Sequence, residues 1–109
     1  SKLILMVTIN ILITNEVVVG IPSAYSLSQN YPNPFNPSTT INYELPKSNF
    51  VILKVYDMMG REVANLVNQT QDAGFYSIKF DASKLTSGIY FYKIQAADFS
   101  AVKKLMLVK

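Results

Sequence analysis

The side chains that most often do chemistry are missing. The 109-residue sequence has no His and no Cys, which removes the commonest general base and metal ligand, the Ser/His and Cys/His nucleophile pairs, and any disulfide. Its seven Asp and Glu residues are scattered, without the pairing that general acid–base work needs or the spacing that ligates a cation. Ser and Lys are both present, but no such pair stands in a recognisable dyad motif. Tyr90, Phe91 and Tyr92 offer rings on which a sugar face can stack, yet seven Tyr and six Phe in so short a chain belong mostly in a core. The sequence therefore predicts no enzyme, no cofactor and no metal. Ten basic residues give a net charge of +3. Lys54, Lys79, Lys93 and Lys103 are spread along alternating segments instead of clustering, so no nucleic-acid partner is expected.

What these residues lack in chemistry they have in structure. Asn30-Tyr31-Pro32-Asn33-Pro34-Phe35-Asn36-Pro37 carries three prolines, each of which fixes φ and removes a backbone donor, so Tyr31 to Asn36 is neither helix nor interior strand. An ordered loop is expected, a clasp anchored by the Tyr31 and Phe35 rings and closed locally by the amides of Asn30, Asn33 and Asn36. A strand follows from Thr39 to Leu45, with Ile41, Tyr43 and Leu45 on one face.

The remainder reads as more strand. Pro46 to Asn49 turn the chain, and Val51, Leu53 and Val55 form the core face of the next segment. Asp57-Met58-Met59-Gly60 has the signature of a type I turn with a bulge, returning through Arg61 to Val67. Asn68 to Gly74 is polar and reads as a turn-rich connection. Tyr76, Ile78 and Phe80 then point inward, Leu85 plugs the following loop, and Ile89 to Gln95 alternates again. A last hairpin turns at Ala96 to Phe99 and returns as Ala101 to Lys109. Leu105 to Val108 is apolar at every position, so alternation leaves its inner face open; either both faces are covered or a partner reads this end. No segment is convincingly helical. The pattern predicts an all-β fold, an antiparallel immunoglobulin-like β-sandwich of about seven strands.

Before this body lies an apolar stretch, Lys2 to Ile13, too short and too interrupted by Thr8 and Asn10 for a stable membrane span. Its Ile, Val and Thr content reads as an additional N-terminal strand, with a degenerate or uncleaved export signal as the other reading. Gly20, Pro22 and Ser23 form a linker, dividing residues 1–22 from a sandwich domain at 23–109. Leu3, Leu5, Val7, Ile9, Ile11 and Ile13 are too apolar for an exposed strand. They pack on their own domain or complete the sheet of another copy, and repeated head to tail that contact builds a filament.

Four segments together resemble a known family: LSQNYPNPFNPSTTINYELP, VILKVYDMMGREVANLV, AGFYSIKFDASKLTSGIYFYKIQAADF and KKLMLVK, in that order. From Tyr25 to Lys109 the chain is similar to type A C-terminal sorting domains of the type IX (Por) secretion system, which are related to the immunoglobulin-like module of flagellar hook-capping proteins. The resemblance implies a secretion address: carriage through the periplasm, recognition by translocon proteins at the outer membrane, and delivery to the cell surface or medium. It places recognition on Lys103, Lys104, Leu105, Met106, Leu107, Val108 and Lys109, and makes the Asn30 to Pro37 loop fold-defining. Two departures stand out. Ala97-Asp98 replaces the family's usual Gly-Asp, so a positive φ at position 97 would be strained. The first twenty residues match no part of the family pattern, and no cargo domain is expected among them.

Overall fold

A computed structural model describes residues 20–109. The additional N-terminal strand expected in the Lys2 to Ile13 stretch, with Leu3, Leu5, Val7, Ile9, Ile11 and Ile13, lies outside the described residues. Among the described residues there is no helix. Seven strands run antiparallel: β1 (Ser26–Leu27), β2 (Ser38–Leu45), β3 (Asn49–Tyr56), β4 (Glu62–Gln71), β5 (Gly74–Asp81), β6 (Gly88–Ala96) and β7 (Phe99–Leu107). They form a three-stranded sheet, β1-β2-β5, and a four-stranded sheet, β4-β3-β6-β7. This is the expected β-sandwich.

The core follows the period of two. Ile41, Tyr43 and Leu45 from β2, Val51, Leu53 and Val55 from β3, and Tyr92, Ile94, Leu105 and Leu107 from β6 and β7 are all sealed from solvent. Alternate side chains face out, as the pleat requires. The apolar run at the end of β7 resolves by the same rule: Leu105 and Leu107 point inward, Met106 is half-buried and Val108 is exposed. Stacked rings extend the core at its margins, Tyr43 on Tyr76 at 5.1 Å and Tyr25 on Phe99 at 5.2 Å between centroids.

Turn chemistry sets the connections. Asp57 accepts the Gly60 N–H on its carbonyl at 3.0 Å, its carboxylate accepts from the Met59 and Arg61 N–H groups, and Gly60 takes φ of 82°. Those backbone donors, Arg61's foremost, hold the Asp57 carboxyl below its usual range. At the last hairpin Ala97 sits at φ 53°. Here a Cβ occupies the left-handed region that glycine adopts without cost.

Two expectations are corrected. The polar run from Asn68 is not a turn: β4 continues to Gln71, pairing Asn68 with Ile52 and Gln69 with Val51. Asn68, Gln69 and Thr70 are exposed on an edge strand, where polar side chains are suited to water, and local composition alone reads such a run as loop. Tyr31 does not anchor the clasp, being 80 % exposed. Its backbone makes an antiparallel bridge to Thr40, which turns the ring to the same outer side as the Thr40 side chain.

Candidate functional site

The clasp and the last strand, separated by most of the sequence, are one structure. Asn30 is buried, and its amide donates to the Pro32 carbonyl at 3.2 Å and to Thr39 Oγ1 at 3.0 Å. Thr39 Oγ1 in turn donates to Pro32 O at 2.8 Å. With both polar side chains paired, their burial costs little, and the loop enters β2 in a fixed direction. Asn36, Pro32, Pro34 and Pro37 are exposed, and the Pro37 carbonyl accepts from Ala82 N at 2.8 Å.

Phe35 is the anchor. Its ring is 2 % exposed and lies 6.2 Å from the Phe80 ring. Its backbone forms a parallel bridge opposite Leu107, donating N–H to Met106 O and accepting from Val108 N, each at 3.0 Å. Asn33 does not close a local turn as its spacing suggested. Instead its Oδ1 accepts from Met106 N at 2.9 Å. Gln29, which carried no signal in the sequence, donates from Nε2 to the Lys104 carbonyl at 2.7 Å. The outward backbone groups of β7 at Lys104 O, Met106 N, Met106 O and Val108 N are thus all taken by the loop and its approach. The edge that a partner strand would need over 104–108 is already closed.

The last strand presents its expected site residues in two directions. Leu105 and Leu107 lie in the core and hold the strand in register. Lys103 and Met106 are half-buried, while Lys104, Val108 and Lys109 are exposed. Lys109 is tied back, its N–H to Ser87 Oγ at 2.9 Å and its Nζ to the Ser83 carbonyl at 2.6 Å. Tyr92, beneath the loop's approach, donates its hydroxyl to Ser28 O at 2.6 Å, and burial pushes that phenol up from 10.0 to about 12.

Three basic residues, Lys54, Lys93 and Lys104, come to one face of the four-stranded sheet, while Lys79 lies on the other sheet and Lys103 shares the inward side with Tyr92. Strand register aligns Tyr56, Phe91 and Lys104 in one row across β3, β6 and β7, and Lys54, Lys93 and Val102 in the next. Ile89 stands beside Met106. All belong to the outward side of the four-stranded sheet. Lys54 pairs with Glu62 at 3.0 Å, which raises its ammonium pKa. Among the described residues no carboxylate lies within ion-pair distance of Lys93 or Lys104.

Nothing in this arrangement assembles a nucleophile, a base and an oxyanion donor, and the described residues hold no cluster of three metal-ligating side chains. What it offers is a fixed strand and a patterned surface. A search of curated proteins finds no match. The family described as "Secretion system C-terminal sorting domain" matches residues 29–109, a span that begins at the clasp and takes in the last strand bonded to it; the chain belongs to that type IX sorting-domain family.

Proposed function

We propose that this chain is a C-terminal secretion module that carries an attached protein across the periplasm and through the type IX translocon to the cell surface or beyond. The family is in general non-catalytic, and its membership implies engagement with the type IX machinery and export. One observation carries the reading: the family match spans both the clasp and the last strand. Translocon recognition falls on Lys103 to Lys109, with Lys104, Met106 and Val108 on the outward side and Leu105 and Leu107 in the core. The Asn30 to Pro37 loop acts indirectly, by holding that strand. Residues 23–109 form the module and residues 1–22 lead into it.

Strand addition between copies through Leu3 to Ile13 gains no support here, because those residues lie outside the described ones. Fusing the whole chain to the C-terminus of a reporter that carries an inner-membrane signal peptide, in a type IX-competent cell, tests the sorting role. Reporter accessible on intact cells or in the medium is the expected outcome. Retention of a folded fusion in the periplasm overturns it.

A further inference from the structure

We propose that the secretion machinery reads the outer face of the four-stranded sheet as a composite surface spanning β3, β6 and β7, and that the occupant is an acidic, partly apolar protein surface. This rests on the sorting reading and names the chemistry of its partner. The first ground is the closed edge. With Lys104 O, Met106 N, Met106 O and Val108 N bonded to Gln29, Asn33 and Phe35, strand addition there requires the loop to leave, whereas the clasp does not cover the face.

The second ground is what the register assembles. Tyr56, Phe91, Ile89 and Met106 supply ring and aliphatic surface, and Lys54, Lys93 and Lys104 stand among them. Among the described residues one carboxylate, Glu62, answers the three cations, through Lys54. A surface of this sign and composition complements carboxylates set beside apolar side chains. It does not suit a second copy, because a two-fold contact sets the same lysines against each other. The outward side of the three-stranded sheet differs. Thr40, Asn42 and Glu44 there meet Lys79, Ser77 and Phe75, a mixed face whose charges balance.

Lys93 decides the matter, because it belongs to β6 and lies outside the last strand. In the reporter fusion of the whole chain, Lys93→Glu should lower surface reporter by about tenfold, since like charges set against each other repel. Lys93→Arg and Lys79→Glu should match the parent, the latter controlling for the change in net charge. If Lys93→Glu is exported like the parent, or if Lys79→Glu falls equally, the composite face is overturned while the sorting role stands. If the parent itself is not exported, the sorting role falls and the composite face with it. Should Lys93→Glu fail to fold, Lys93→Gln keeps the aliphatic stem and should lower export by about threefold; no fall overturns the proposal. Purified chain that cosediments with phosphatidylglycerol vesicles through Lys93 would also overturn it, assigning the face to lipid.

Discussion

The two edges of the four-stranded sheet solve one problem in opposite ways. β4 is ten residues long and defends its open side with polar side chains, Asn68, Gln69 and Thr70, and with register shifts between Leu53 and Lys54 and between Val55 and Tyr56. β7 turns Val102 and the half-buried Met106 outward, with exposed Val108 just beyond its end, a composition that invites another strand, and its last residues are covered by a loop from the far end of the module. A polar edge needs no cover. An apolar one does, and the cover then becomes part of whatever the strand presents.

This contrast is open to direct attack, beginning where the largest effect is expected. Phe35→Ala removes the ring that seats the loop beside Phe80 and should cost about 3–5 kcal/mol of stability, read by urea unfolding. An effect below about 1 kcal/mol would mean the clasp is dispensable to β7. Raising pH should come next. Tyr43 and Tyr92 are both pushed from 10.0 to about 12 by burial, so the folded protein holds two phenol protons that the unfolded chain releases near pH 10. Their contribution is complete below pH 10 and is lost as pH climbs towards 12, so the melting temperature should drop steeply across that window. A flat profile from pH 9 to 12 would contradict it.

Smaller changes separate the two edges more finely. Asn33→Ala deletes the acceptor of Met106 N–H, and at this exposed position should cost about 1 kcal/mol. Hydrogen exchange at Met106 should quicken while exchange at Val67, on the other edge, stays as it was. On that other edge, Asn68→Ile should change stability by no more than about 0.5 kcal/mol. It removes the polar guard, however, and should produce concentration-dependent association on a sizing column. If Asn68→Ile stays monomeric, polarity is not what protects β4.

Much of the fold was legible because a buried sheet face repeats every two residues. Ile41, Tyr43 and Leu45, and Val51, Leu53 and Val55, announced their faces, and Asp57 with Gly60 announced a turn whose donors and φ the structure supplies. Positive φ at Ala97 was legible too, from the family's preference for glycine there. What failed was anything set by partners distant in sequence. Asn68 to Thr70 looked like loop because polarity on an edge strand mimics a turn. Tyr31 looked like an anchor because a ring's burial depends on which way its backbone bridges. Asn33 and Gln29 reach β7 across more than seventy residues, and no local pattern encodes such reach. That Lys54, Lys93 and Lys104 share a face was illegible for the same reason: spacing along a chain carries no information on register between strands.

The bond from Asn33 to Met106 joins residues 73 apart, and this gives the module a sense of its own completion. Closing so long a loop is entropically uphill until the contacts at its ends repay it. A chain that has not yet supplied β7 has nowhere to seat Phe35 and leaves one side of β6 without a partner. The finished surface therefore exists only when the whole module has emerged. A receptor that binds it would sample the integrity of everything between the clasp and the last strand, and a product cut short before β7 would lose Lys104 and Met106 together with the seat for Phe35.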